Sequence, residues 1–293
     1  MTLAALVVLV LKVSIAVMVF SVGLGTAPRE LTLLLRHPQK LVGSLVSMNL
    51  VMLAVALALA VLLPLHHSVK VVLVALALSP VPPLLPRRLI KAGGGHDYVM
   101  ALLFSASVFA IFWIPFASAV LDRFFPQDLR LPALPVAKLV SMTVLGPTLA
   151  GVAVHVLAPR LAARLGGPLG KVGLLLLLAA AGLLLARAAP VMLQQIGDGT
   201  LLAIVAFVVL GLIVGHLIGG PSPGDRSVLA LATACRHPAV ALGISRLAFP
   251  AERAIAGAVM LYLIVNVVVC LPYIAWRRKA LAPEPPLSAT PAR

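Results

Sequence analysis

Residues 79–88 read SPVPPLLPRR, and four of these ten residues are proline: Pro80, Pro82, Pro83 and Pro86. They follow an apolar run, so hydropathy alone predicts a membrane helix at this position. Each proline removes a backbone hydrogen-bond donor. One proline would only kink a spanning helix, whereas four within seven residues interrupt it. Non-helical backbone at this depth is stable only where it is buried in protein or lines a cavity.

The composition is that of a polytopic membrane protein. Of the 293 residues, 62% are hydrophobic and 11% are charged, whereas soluble domains average about 25% charged residues. Apolar runs of about 20 residues recur along the chain, each long enough to cross roughly 30 Å of hydrocarbon. The first run is too long for a signal peptide and lacks a preceding basic region. We therefore expect an all-α polytopic membrane protein without a cleavable signal peptide.

Nine membrane segments joined by short loops are predicted. They lie at about 4–26, 40–64, 69–90, 97–120, 136–158, 170–193, 199–220, 225–248 and 252–276. Lys and Arg are concentrated in the loops on the side of the C-terminus. The positive-inside rule then predicts an outside N-terminus and a cytoplasmic C-terminus in the cytoplasmic (inner) membrane. The Pro-rich residues 277–293 are expected to form a disordered tail.

The net charge of +15 follows from these basic loops and does not predict a nucleic-acid partner. Cys235 and Cys270 both fall in apolar segments, with neither metal-ligand spacing nor a disulfide framework. The sequence shows no carboxylate pair, nucleophile motif or metal cluster, so neither an enzyme nor a cofactor is expected. The expected partners are the lipid bilayer and a small substrate, and the sequence predicts no oligomeric state.

A second break is predicted in the eighth segment, VLALATACRHPAVALGIS (228–245), where Pro238 follows Arg236 and His237. Shifting the third segment by 155 residues places Pro83 on Pro238. The predicted topology runs these two segments in opposite directions across the membrane. An inverted repeat with one broken helix in each half is typical of secondary transporters, whose binding sites lie at the breaks.

Arg236 and His237 are the main candidates for the site. A charge near the bilayer centre is costly and usually marks a substrate or ion path. Arg236 is predicted to replace a bound cation between the crossing helices, to bind an anionic substrate group, or to do both. The alternatives are that it only bonds carbonyl groups freed beside Pro238, or that the segment shifts along the membrane normal so that Arg236 reaches an interface.

Other polar residues lie within apolar segments. Ser79, Asn49 and Thr233 are predicted to line the substrate site or to satisfy freed backbone groups. His155 and His216 are predicted either to be hydrogen-bonded packing residues or to relay protons, since imidazole titrates near neutral pH.

Three stretches together resemble the bile acid:sodium symporter family. GLGTAPRELTLLLRHPQKLVGSLV (23–46) is similar to the segment after its first core helix, and SPVPP and LATACRHPAVALGIS stand at its two crossing helices. The chain is identified as a divergent bacterial-type member with nine membrane helices. The resemblance implies alternating-access transport of a small organic anion. It also implies a panel domain (about 4–26, 136–158 and 170–193) and a core domain (about 40–120 and 199–276).

The family's sodium ligands fall on unsuitable residues. Its Glu and Gln on the second crossing helix align with Ala232 and Arg236, and its Ser and Asn on the first align with Leu85 and Pro86. All eight acidic residues lie in loops or at segment ends, and the guanidinium of Arg236 would repel Na⁺. We therefore expect no sodium coupling. The alternatives are a sodium-dependent symporter proper, a non-transporting sensor or scaffold, and a channel-like facilitator.

Overall fold

The structure, a computed structural model, describes residues 3–82, 85, 90, 95–124, 134, 135, 138, 141–252 and 254–281. The helices of the first half are α1 (Leu3–Leu24), α2 (Pro28–Leu31), α3 (Pro38–Leu62), α4 (His67–Leu78), α5 (His96–Phe124) and α6 (Ser141–Leu157). Those of the second half are α7 (Pro159–Gln194), α8 (Thr200–Ile218), α9 (Pro223–Ala234), α10 (Pro238–Ala248) and α11 (Ile255–Ala280).

The prediction of an all-α polytopic membrane protein is confirmed. Among the described residues, six helical stretches are long and apolar enough to cross a membrane, or seven if the bent pair at the N-terminus is one span. Two further apolar helices, α4 and α6, are shorter. Each of the nine predicted segments contains at least one helix, although nine crossings remain a prediction.

Prolines mark where several helices begin. Pro38, Pro159, Pro223 and Pro238 each occupy the first turn of a helix. A backbone N–H in the first turn has no partner within its own helix, so a proline there costs no hydrogen bond. The same residue type that interrupts the predicted spans therefore also starts the helices that follow.

Two helices run beyond their predicted limits. Helix α7 begins directly after Ala158, whereas a loop is predicted before residue 170, and Pro168 is accommodated within the helix. Helix α11 continues to Ala280, past the predicted start of the tail. Arg277 fixes its last turns because its guanidinium donates hydrogen bonds to the Ser227 hydroxyl and the Pro223 carbonyl. Residues 282–293 of the predicted tail lie outside the described residues.

Glycines bring the backbones of α1 and α6 into close contact. Neither Gly23 nor Gly151 has room for a Cβ atom against the facing helix. Helix α1 also packs along α7, where Gly173 approaches Met18. Small residues are the usual means of close helix packing in membranes, where the hydrophobic effect does not drive helix association. These three helices are those of the predicted panel, and the division into panel and core remains a prediction.

A second glycine contact positions α9. Gly211 and Gly215 of α8 and Gly219, directly after its last residue, recur every four residues and therefore share one face. They lie against Ala234, Ala230 and Arg226 of α9, and a Cβ on any of the three glycines would come within 3.0 Å of the α9 backbone. The register of α9, and with it the position of the chain that follows Ala234, depends on this contact.

Candidate functional site

Both predicted breaks are present. Helix α4 ends at Leu78, and Ser79 adopts an extended conformation. Helix α9 ends at Ala234, and the backbone stays extended at Cys235 and His237 before α10 begins at Pro238. The first helix stops two residues before Pro80, and at the second break Pro238 begins the helix that follows, so both interruptions lie where the sequence predicts them. Pro80 and Pro82 lie in the first break, while Pro83 lies outside the described residues.

The two breaks meet inside the bundle. The backbone N–H of His237 donates to the carbonyl oxygen of Pro80 at 3.0 Å and to the hydroxyl of Ser79 at 3.1 Å. Ser79 in turn donates to the carbonyl of Leu76 in the last turn of α4. Two extended segments that are distant in sequence therefore satisfy each other's backbone groups where water is excluded.

Arg236 links the second break to the end of α4. Its side chain is 1% exposed. Its Nε donates to the carbonyl of Leu76 at 3.0 Å, and its Nη2 donates to the carbonyl of Ala77 at 2.6 Å. The last carbonyls of a helix carry partial negative charge. The guanidinium is therefore a cation held by the carboxyl end of a broken helix.

Two residues of α11 form hydrogen bonds with further backbone groups of the second break. The sequence pattern did not single them out. The hydroxyl of Tyr262 accepts a hydrogen bond from the Arg236 backbone N–H at 2.7 Å and donates to the Ala234 carbonyl at 3.1 Å. Asn266 donates to the same carbonyl at 3.1 Å. Tyr262 and Asn266 are four residues apart in an apolar helix, so they share a face. That spacing of two polar residues is the sequence signal that could have identified them.

Replacing Tyr262 with phenylalanine is expected to destabilise the fold by about 1–3 kcal/mol. The change leaves the Arg236 N–H without its acceptor inside the bundle. The measurement is the thermal unfolding midpoint in detergent. Tyr273→Phe is the matched control, because Tyr273 bonds the half-buried side chain of His216. An unfolding midpoint equal to that of the unmodified protein would contradict the role given to the Tyr262 hydroxyl.

Of the other predicted substrate-site residues, Thr233 lies beside the break and Asn49 does not bond it. The hydroxyls of Thr233 and Ser47 are 2.8 Å apart and buried. Ser47 and Asn49 belong to a π-helical turn, Val46–Val51, within α3. The Asn49 amide donates to the Leu45 carbonyl of its own helix at 3.1 Å.

The two histidines considered for proton relay have partners away from the breaks. His155 Nδ1 lies 2.9 Å from the carbonyl oxygen of Leu24. His216 Nδ1 lies 2.8 Å from the hydroxyl of Tyr273, and its ring packs against Tyr273 and Trp276. Neither of these partners belongs to a break. Both contacts fit the hydrogen-bonded packing alternative, and a relay remains a prediction.

A cavity of about 230 Å³ opens beside Arg236. Pro82, His237 and Tyr262 lie on one side, and residues of α1 and α7 lie on the other. Nη1 of Arg236 and Nε2 of His237 are buried, and neither has a hydrogen-bond partner among the described residues. The second break therefore has polar atoms that are not used in the hydrogen bonds between the two breaks.

A larger cavity of about 520 Å³ adjoins the first, and the two share Leu11, Ile15, Leu184, Ala239 and Leu242 on their walls. The larger cavity is also lined by Lys12 of α1, Arg187 of α7 and Arg246 of α10. Their convergence could not be read from spacing along the chain.

The acidic side chains that the structure describes form their ionic contacts at helix ends. Lys40 bonds Asp225 at 2.7 Å, and the remaining contacts pair histidines with carboxylates: His66 with Asp198, His67 with Glu252, and His96 with Glu30 and Asp97. The breaks themselves contain no carboxylate among the described residues. Leu85, at a sodium-ligand position implied by the resemblance, is buried and apolar, while Pro86 lies outside the described part of the chain.

Cys235 and Cys270 lie next to each other in the fold. Their Sγ atoms are 3.7 Å apart, and both residues are buried. The sequence indicates no such pairing because the two residues belong to different segments, and only the packing of the second break against α11 joins them.

A comparison of the sequence with protein families finds one match. The model of the Sodium Bile acid symporter family matches residues 12–195, which is more than half of the chain. The first break lies within these residues and the second lies beyond them. No curated protein matches the chain. The family is one of transporters of bile acids and other organic anions. The extent of the match shows that the chain belongs to the Sodium Bile acid symporter family.

Proposed function

We propose that this protein is a secondary transporter that moves a small organic anion by alternating access without sodium coupling. Membership of a transporter family supports the general class. The observation that carries the proposal is the guanidinium of Arg236, which bonds the carbonyls of Leu76 and Ala77 at the end of α4. The predicted inverted repeat, inner-membrane location and terminal orientation are part of the proposal.

The position of this guanidinium makes a bound Na⁺ unnecessary and unfavourable. In transporters with broken helices, carboxyl ends of half-helices and unwound carbonyls coordinate the coupling cation. Here a covalently attached cation takes those carbonyls. A second unit charge about 4 Å away would be repelled by about 4 kcal/mol at an effective dielectric constant of about 20. No carboxylate among the described residues lies at the breaks to offset this repulsion.

The arrangement of the cavities supports alternating access. Both cavities lie between α1 and α7 on one side and α10 and α11 on the other. These sides belong to the predicted panel and core, respectively. Rocking one side against the other would close this opening and expose the breaks to the opposite face of the membrane, as alternating access requires.

A non-transporting scaffold is the second candidate, and one observation favours it. The bonds of Arg236, Tyr262 and Asn266 close the breaks without a ligand, so the arginine could act purely as a clamp. The adjoining cavities favour transport instead, because a scaffold has no need of a cavity beside the breaks. A transport assay separates the two.

Uptake by reconstituted protein is expected to be the same with Na⁺ as with choline in the external buffer. The assay uses proteoliposomes and a panel of labelled carboxylates and sulfonates, with and without a pH gradient. Protein-free liposomes set the background. Uptake that requires Na⁺ would contradict the substitution of Arg236 for the coupling ion. Absence of uptake for every anion under every gradient would favour the scaffold.

A further inference from the structure

Three cationic side chains converge on one cavity. We define the cationic cavity as the 520 Å³ space lined by Lys12, Arg187 and Arg246. These residues come from α1, α7 and α10, which are three separate helices. Such a meeting of charges within membrane-spanning helices is costly and marks a path or binding site for ions.

The charges in this cavity are not balanced by the protein. None of the described residues that line the cavity is acidic. None of the ion pairs formed by the described residues includes Lys12, Arg187 or Arg246. Within the described part of the chain, these three side chains form one hydrogen bond, from Arg246 to the Pro250 carbonyl at 3.4 Å. Lys12 and Arg187 are exposed and Arg246 is half-buried. Three positive charges therefore line one open space with largely apolar walls.

We propose that the cationic cavity binds an amphipathic organic anion that carries at least two negative charges. The proposal deepens the proposed function by naming a substrate class and its binding residues. A single negative charge would leave a net positive charge of two among the three side chains. A dianion or trianion removes most of this net positive charge. Guanidinium groups form bidentate hydrogen bonds with carboxylate, sulfonate and phosphate oxygens.

The apolar walls of the cavity favour a ligand that has an apolar part between its charged groups. The sides of the cavity include Leu11, Leu184, Leu242 and Leu247. A volume of 520 Å³ lies within the range of about 300–1,000 Å³ that is usual for sites of small organic molecules. An inorganic anion would leave these walls without contacts, whereas an organic anion covers them.

The wall that the cationic cavity shares with the smaller cavity also favours negative charge. Ala239, in the first turn of α10, lies on the wall of both cavities. The amino end of a helix carries a partial positive charge, and α10 has 11 residues. The cationic cavity therefore leads toward the breaks along a path that stays electropositive.

Binding of three dansyl probes in nanodiscs of phosphatidylcholine tests this inference. Dansyl-glutamate, dansyl-glycine and dansylamide share one fluorophore and carry two, one and no negative charges. We expect dansyl-glutamate to bind about tenfold more tightly than dansyl-glycine, with dansylamide weakest. Lys12→Met, Arg187→Met and Arg246→Met should each weaken dansyl-glutamate binding about tenfold and dansylamide binding less than about twofold.

Matched variants separate charge from packing. Arg187→Lys should retain most of the affinity for dansyl-glutamate. Lys171→Met, on the same helix but outside the cavity, should bind all three probes like the unmodified protein. Equal affinities for the three probes, or methionine variants without effect, would overturn the proposal. Loss of probe binding when phosphatidylglycerol replaces phosphatidylcholine would also overturn it, by identifying the occupant as a lipid headgroup.

The binding result is independent of transport. Charge-dependent binding without uptake in proteoliposomes would support the cationic cavity and reject the transport function. Uptake of anions by a protein whose probe binding does not respond to these variants would support transport and reject this cavity as the site.

Discussion

Uptake of the transported anion should fall by about 100-fold or more when Arg236 is replaced with alanine. The side chain makes two charge-assisted hydrogen bonds to the end of α4. Each is worth about 1.5–3 kcal/mol, and 1.4 kcal/mol corresponds to a factor of ten. In the alanine variant, the carbonyl oxygen of Ala77 loses the only hydrogen bond that it accepts from a described side chain. The measurement is the initial rate of uptake in proteoliposomes with matched amounts of monodisperse protein.

Chemical rescue distinguishes loss of the cation from loss of the fold. Truncation of Arg236 enlarges the 230 Å³ cavity beside it, so guanidinium added to the Arg236→Ala protein should restore part of the uptake. Arg236→Lys should keep an intermediate rate, because it retains the charge without the planar fork of donors. Arg160→Ala, an exposed position at the start of α7, should change nothing. Full uptake by folded Arg236→Ala protein would refute the proposed role.

Gly215→Leu should have the second large effect, on stability. A Cβ at Gly215 would lie 2.5 Å from the Cα of Ala230 and from the carbonyl oxygen of Leu229. The larger side chain must separate α8 from α9, because both obstructing atoms belong to the backbone. We expect a destabilisation of about 3 kcal/mol. For a protein of this size the thermal midpoint should fall by roughly 10 °C, as measured by unfolding in detergent.

The control for this change is another glycine in an apolar helix. Gly182 of α7 has no heavy atom within 4 Å of its Cβ position. Gly182→Leu should therefore leave the thermal midpoint within about 2 °C of the unmodified protein. A similar loss of stability in both variants would show that leucine acts through its apolar surface and that close packing of α8 on α9 is not the cause.

On the proposed function, the protein is a carrier in which the guanidinium of Arg236 takes the place of a bound coupling cation. In a sodium symporter the ion leaves on each transport cycle, so the site at the crossing loses and regains its charge. In this protein the guanidinium of Arg236, which bonds the carbonyls of Leu76 and Ala77, is part of the chain and cannot leave. The energy for uphill transport would then have to come from another gradient, such as that of the substrate or of protons.

The breaks were predictable because their causes are local. Pro80, Pro82 and Pro238 each lack a donor, and no neighbouring residue can restore it. The importance of Arg236 and His237 was also apparent, because a charge within an apolar run is conspicuous in any sequence. The structure brings Arg236 and His237 into contact with the end of α4 and the first break, while a substrate site at these residues remains a prediction.

Other parts of the site could not be predicted because they depend on helix rotation. Tyr262 and Asn266 satisfy the second break only because α11 turns that face toward Ala234. Lys12 lies on α1 and Arg187 on α7, far apart in the chain, and only the packing of these two helices brings both side chains to the same cavity.

The sequence by itself determined that the chain is a bundle of membrane helices and where two of those helices stop. In hydrocarbon a backbone group that faces lipid must find its partner within its own helix, so apolarity and proline position suffice for both conclusions. Only the tertiary structure decided which groups complete the breaks and which cations share a cavity. Those contacts join residues far apart in the chain, and they depend on how closely glycines such as Gly151 and Gly215 let the helices approach.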